Sequence, residues 1–232
     1  MISVKTFHEI KYRLLLGVLI AILVIHPFFS DSHLSGIALD IFISFLIVFV
    51  VFESRQRKHS LAIAVSLSFL ALIANWSDEY LNILPFVIAA QTFSILFIFY
   101  ICYVIIMTII EARRVTFDII VGAVCVYLMI GLMWTFLYSL LELNHPGSFI
   151  TNISPDKITA SSSPDFIVSR LNYFSFVTLA TIGYGDIIPA SHPAQMLSVF
   201  EAIIGQLYLT ILIARFVGLH IMHNFQKDEI SD

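Results

Sequence analysis

Apolar residues run along this chain in long blocks rather than in alternation. Six blocks, over residues 14–29, 34–52, 60–76, 85–110, 117–141 and 194–218, come close to the length that carries a helix across a bilayer, about 20 residues. Outer-membrane strands would instead alternate over about ten residues. The fourth block carries no charge from residue 80 to 110, which is longer than one crossing needs. Pro85 suits the first turn of a helix, where its missing N–H costs nothing, so that helix is expected to start there.

The polar segments between the blocks give an orientation. Lys5, Lys11 and Arg13 precede the first block, and Arg55, Arg57 and Lys58 separate the second from the third. Arg113 and Arg114 separate the fourth from the fifth, and Arg215 and Lys227 close the chain. Ten of the twelve basic residues therefore fall on one side, which the positive-inside rule makes the cytoplasm. The other side receives Asp31, Asp78, Glu79 and the segment after the fifth block, with only Lys157 and Arg170 basic. An even number of crossings puts both termini in the cytoplasm. The first block is longer than a signal-peptide core, and no small-x-small site follows it.

Composition agrees. Hydrophobic residues make up 59% of the chain and charged residues 12%, with a mean hydropathy of +0.95. A soluble domain carries about 25% charged residues. This excludes a nucleic-acid-binding protein, a disulfide scaffold and most soluble enzymes. The net charge of −4 is too small to identify a partner. Cys102 and Cys125 both lie inside apolar blocks and read as small hydrophobes.

Residues 142–170 break the pattern. They are polar and carry Pro146-Gly147, Ser154-Pro155 and Ser163-Pro164, which read as turns in an extracellular loop. An apolar stretch over residues 171–181 follows, too short to cross, and then Gly183, Gly185 and Pro189. A short helix that enters the membrane and returns as irregular chain fits this order. Such backbone is tolerated at membrane depth only inside protein or beside water.

The returning segment reads Thr178-Leu179-Ala180-Thr181-Ile182-Gly183-Tyr184-Gly185-Asp186. It resembles the selectivity-filter signature of potassium channels of the voltage-gated-like superfamily, with Ile182 in place of the commoner Val. Chance would give a Thr-x-Gly-Tyr-Gly-Asp match in a chain of this length roughly once in ten thousand. The resemblance extends over residues 117–218. It implies an all-α membrane protein of six transmembrane helices with a re-entrant pore helix and filter loop. The chain would divide into a four-span sensor-like unit (1–116), a pore domain (117–218) and a short cytoplasmic tail (219–232).

The resemblance also implies how the residues act. Four chains around one axis, a homotetramer, would present rings of carbonyls from Thr181, Ile182, Gly183 and Tyr184 to K+, in place of its water shell. The Thr181 hydroxyl would add the innermost ring. Turning successive carbonyls inward requires positive φ, which Gly adopts cheaply. Tyr184 would brace the filter from behind, with Gly185 and Asp186 closing it. Tyr173 and Phe174 sit where many relatives carry Trp in an aromatic cuff. Gly205 stands where relatives place the hinge of the inner helix, although glycine also serves close packing in membrane helices. Gln206, Leu209, Ile213 and Val217 form one helical stripe, which by resemblance lines the cavity and inner gate.

Glu201 lies inside the sixth block. An intramembrane carboxyl marks a functional site by default. It is expected behind the filter, bonded to Ser175, Thr178 or filter backbone, with filter tuning, a structural bond and direct ion coordination as its possible roles. Asp40 has the simpler reading of reaching the interface. His220 and His223, three apart, read as solvated tail residues before a metal or pH site. Asn75-Trp76-Ser77 and Asn152-Ile153-Ser154 are sequons that matter only in a secretory host.

Voltage-gated relatives place Arg or Lys at every third residue of the fourth span, and residues 80–110 contain none. The expected function is passive, voltage-independent K+ conduction across the plasma membrane, a bacterial inner membrane by its compactness. Membrane lipid, K+ and further copies of the chain would be the partners. No cofactor, nucleic acid or enzyme activity is expected, and no sensing domain names a gating partner. The alternatives are a weakly selective cation channel, a transporter and a non-conducting accessory subunit. The single complete filter segment argues against the transporter.

Overall fold

The computed structural model describes residues 4–29, 65–67, 69–71, 73, 84–112, 115–151 and 164–231. Within them lie α1 (Val4–Phe29), α2 (Leu84–Glu111), α3 (Phe117–Asn144), β1 (Phe149–Thr151), α4 (Pro164–Leu179), β2 (Ile187–Pro189) and α5 (His192–Ser231). The second block, Asp40 and both sequons fall outside the described residues, and only helical fragments of the third block are described. Three described helices are long and apolar enough to cross a membrane: Leu84–Glu111, Phe117–Asn144 and His192–Leu219. They match the fourth, fifth and sixth blocks to within a few residues.

The boundaries follow local chemistry. α2 opens with Pro85 in its first turn, as expected. The extended Thr116 caps α3, its hydroxyl accepting from Ile119 N at 3.4 Å, and Asp118 sits in the positive first turn. Ser191 caps α5, accepting from Ala194 N at 3.3 Å. α5 then runs for 40 residues, about 60 Å, because no Gly or Pro interrupts residues 219–231. It therefore passes beyond residue 218, where the sixth block ends.

α3 is the centre of the core. Its Val126, Met129, Leu132 and Trp134 are buried with Phe97, Ile101 and Ile105 of α2 and Tyr12, Leu15 and Leu19 of α1. Lipid is as apolar as these side chains, so close packing and polar contacts must hold the helices together. Gln91 Nε2 of α2 donates to Ser139 Oγ of α3 at 2.9 Å in the buried interface. Cys125 Sγ contacts Tyr12 O at 3.5 Å. Cys102 and Cys125 are free and buried, in keeping with their apolar surroundings.

The segment read as a loop over 142–170 holds more structure than expected. Pro164, expected in a turn, opens a helix, because Pro fits the first helical position; Ser163 and Ser154-Pro155 lie outside the described residues. α4 has 16 residues, about 24 Å, still short of the ~30 Å hydrocarbon core. β1 pairs antiparallel with β2, with Phe149 opposite Pro189, Ile150 opposite Ile188 and Thr151 opposite Ile187. Ser148 O also accepts from Ala190 N at 2.8 Å. Three-residue strands are too short to leave a period-two signal in the sequence.

Candidate functional site

α4 ends in a turn that sets up everything after it. Ile182 N donates to Val177 O at 2.9 Å, and Thr181 N to Thr178 O at 2.9 Å. This 6→1 and 5→2 pair is a Schellman motif with Thr181 at the left-handed position, where Gly is usual. Thr181 has φ +56°, Gly183 φ +59° and Gly185 φ +77°, while Ile182 and Tyr184 keep negative φ. An ordinary strand turns alternate carbonyls to opposite sides. Inverting every second residue brings successive peptide units to face one way, the arrangement a carbonyl ring requires. The positive φ at the two glycines was expected. That at Thr181, a β-branched residue, was not, and it costs about 1–2 kcal/mol.

Residues 181–185 are exposed in the single chain, with Tyr184 at 69%. Asp186 Oδ1 accepts from Ile187 N at 3.0 Å. A hydrogen bond to Asp186 raises the Tyr173 phenol above its ordinary value, so Tyr173 reaches the far end of the segment it precedes. Phe174 points the other way into a buried aromatic cluster, edge-on to Tyr138 at 5.3 Å and to Phe149 at 5.2 Å between centroids. Tyr173 and Phe174, adjacent in sequence, thus do different work. Thr178 contributes its carbonyl to the turn.

Glu201 is fully buried behind this turn. Its Oε1 lies 2.5 Å from Ser175 Oγ of α4, and its Oε2 accepts from Tyr138 Oη of α3 at 2.5 Å. Ser175 was expected as a partner. Thr178 and the backbone of residues 181–186 do not bond the carboxyl, and Tyr138 was missed. Ser175 Oγ also lies 2.8 Å from Gly131 O, and Thr135 Oγ1 lies 3.1 Å from Asn172 Oδ1, so polar contacts fasten α4 to α3 along its length. At the opposite end of α3 from its Thr116 cap, Glu142 accepts from Gly147 N and Phe149 N, each at 3.0 Å, and lies 3.7 Å from Arg170.

Gly205 packs against the end of α4. A Cβ there would meet Leu179 O at 2.5 Å and Leu179 Cδ1 at 2.9 Å. Leu179 O also accepts from Tyr127 Oη at 3.3 Å, and Tyr208 Oη donates to Ala123 O at 2.7 Å. Of the two readings of Gly205, close packing is the one with contacts behind it. Farther along α5, Arg215 Nη2 donates to Ile109 O at 3.2 Å, to Ala112 O at 3.4 Å and to Ile110 O. Ile109 and Ile110 lie in the last turn of α2, whose carbonyls lack a full set of helical partners, and Ala112 directly follows it; Ile109 O also accepts from Ala112 N at 3.3 Å. Sequence placed Arg215 only among the charges of the cytoplasmic side.

The buried contacts of α5 thus form one stripe through Glu201, Gly205, Tyr208, Leu212 and Arg215. Gln206, Leu209, Ile213 and Val217 are turned from it by roughly a third of a turn. Gln206, Leu209, Ile213 and Val217 are all exposed in the single chain. His220 and His223 lie on the α5 backbone, and their side chains are outside the described residues.

Residues 148–220 match the family described as Ion channel. The chain is 41% identical over 64 residues to "Two pore potassium channel c" of Oryza sativa subsp. japonica, covering 28% of this chain and 14% of that protein. It is 37% identical over 60 residues to "Two-pore potassium channel 4" of Arabidopsis thaliana, covering 26% of this chain and 20% of that protein. The chain thus spans a fifth or less of the length of these relatives. No solved structure matches it significantly. The stretch that carries α4, the returning turn and most of α5 is similar to a family of channels, not of enzymes.

Proposed function

We propose that this chain is one subunit of a homotetrameric, potassium-selective channel. It conducts K+ passively across the plasma membrane, a bacterial inner membrane, with both termini in the cytoplasm. Residues 1–116 form a four-span unit without gating charges, 117–218 the pore domain and 219–232 the tail. The observation that carries the reading is the alternation of φ at Thr181, Gly183 and Gly185, within a stretch similar to ion channels. Carbonyls of Thr181, Ile182, Gly183 and Tyr184 from four copies would replace the water shell of K+. Glu201, Ser175 and Tyr138 hold α4 in register behind them. Gln206, Leu209, Ile213 and Val217 line the cavity below.

One observation favours a weakly selective cation channel as the second reading. Tyr173 stands where many relatives carry Trp, and its cuff contact is an exposed hydrogen bond to Asp186. The test is ion flux from liposomes under opposed potassium and sodium gradients, with Gly183→Ala as the control. Gly183 has φ +59° with no atom near its Cβ position, so Ala costs about 1–2 kcal/mol by strain alone. Potassium flux that Gly183→Ala abolishes is the expected result. Equal sodium and potassium flux supports the second reading. Wild-type flux and selectivity in a tetrameric Gly183→Ala protein would overturn both.

A further inference from the structure

Ser198 of α5 lies beside the Tyr138 hydroxyl and gives its own hydrogen to Ala194 O at 2.8 Å, and three further oxygen–oxygen contacts run through Glu201 and Ser175 behind the turn. They are Tyr138 Oη to Glu201 Oε2 at 2.5 Å, Ser175 Oγ to Glu201 Oε1 at 2.5 Å, and Ser175 Oγ to Gly131 O at 2.8 Å. Each needs one hydrogen. The two hydroxyls supply one apiece, and Gly131 O can only accept. With an ionised carboxylate, two hydrogens must serve three contacts. Hydroxyls donating to a carboxylate would also give contacts as short as 2.5 Å. That arrangement spends the Ser175 hydrogen on Glu201 and leaves two bare acceptors 2.8 Å apart.

We infer that Glu201 supplies the third hydrogen: it is a neutral acid that donates through Oε1 to Ser175 and accepts from Tyr138 through Oε2. Ser175 then donates to Gly131 O. The chain of hydrogens runs one way, from Tyr138 through Glu201 and Ser175 to the backbone of α3, and closes on the helix where it began. Burial agrees with this assignment. Glu201 is fully buried, and no cation pairs with it among the described residues. The groups that face it are Tyr138 and Tyr127 of α3 and Ser175 of α4. A buried carboxyl without a positive partner is neutralised rather than held as an ion.

Tyr138 and Glu201 are therefore positioning residues. They act on the filter through Ser175, seven residues before Ile182, and none of them touches the ion. This bearing on conduction rests on the channel reading above; the hydrogen count does not.

Infrared difference spectra of the full chain in lipid read the proton directly. At neutral pH the wild type should show the carbonyl stretch of a protonated carboxylic acid. Glu201→Gln should remove that band. Tyr138→Phe keeps the ring of the aromatic cluster and deletes the hydrogen bond to Oε2, so it should shift the band to higher frequency. Potassium flux from liposomes is measured in parallel. Glu201→Ala should lower it about ten-fold or more, since a hydroxyl is left unsatisfied in the core. Glu201→Gln should restore most of the loss, because an amide donates to Ser175 and accepts from Tyr138 as the acid does. Absence of an acid band assignable to Glu201, or Gln and Ala variants equally impaired, would overturn the inference. An acid band in a protein that passes no potassium would overturn the channel reading alone. Should Glu201→Gln not fold, the Tyr138→Phe shift decides: an unmoved band overturns the inference.

Discussion

Gly205→Ala separates a hinge from a packing contact by the sign of its effect on stability. The added Cβ would stand 2.5 Å from Leu179 O, about 0.8 Å inside a carbon–oxygen contact of ~3.3 Å. The obstacle is backbone at the end of α4, which cannot rotate away as a side-chain tip can. Either α5 retreats from α4 or the last turn of α4 tilts. Overpacking of this kind costs about 1–3 kcal/mol. Moving Leu179 O also strains its 3.3 Å bond from Tyr127, worth about 1 kcal/mol. Against this, Ala favours the helix by about 1 kcal/mol over Gly. The sum is a loss of about 1–3 kcal/mol. A glycine that served only as a hinge would give the opposite sign, a gain of about 1 kcal/mol in stability with reduced opening. Thermal unfolding in detergent, with flux from liposomes alongside, measures both. A Gly205→Ala protein that melts at or above the wild-type temperature would refute the packing argument.

Two further predictions follow from the ends of the helices. Arg215→Gln removes the charged donor that serves the Ile109, Ile110 and Ala112 carbonyls, a loss of about 1.5–3 kcal/mol. Wild-type stability of Arg215→Gln in thermal unfolding would show that the contact is not held in the membrane. Opening should depend little on voltage, because α2 carries no basic residue and each elementary charge moved across 100 mV is worth about 2.3 kcal/mol. In single-channel recordings between about −100 and +100 mV, a slope of three or more charges per subunit would contradict this.

The parts of this structure that were legible in sequence are those written in neighbouring residues. Long apolar blocks locate α2, α3 and α5, since a bilayer leaves few other ways to place them. Six consecutive residues, Thr181–Asp186, mark the returning turn. Glu201 was legible as an anomaly, a carboxyl where lipid or protein must surround it. Its partners were only half legible. Ser175 lies closer in sequence, on α4, but Tyr138 is 63 residues away and looks like any aromatic of an apolar block. The available signal was chemical: a buried carboxyl needs hydrogen-bonding hydroxyls, and few tyrosines lie in the fifth and sixth blocks. Thr181 at positive φ runs against its own propensity, so no local rule points to it. Arg215 fits the positive-inside pattern so well that the pattern concealed its specific contact.

The stripe from Glu201 to Arg215 has a mechanical consequence. Residues 201–215 of α5, about 21 Å of helix, are stitched to α3, α4 and α2 of the same chain through Tyr138, Leu179, Ala123 and the end of α2. The helix is therefore not a cantilever anchored at its outer end and free to swing from Gly205. A bend at Gly205 must unpick the seam on both sides of it. The first unstitched point is Gly218, three residues past Arg215, where no atom lies near the Cβ position. Movement at the far end of α5 either flexes the helix there or drags the end of α2 with it.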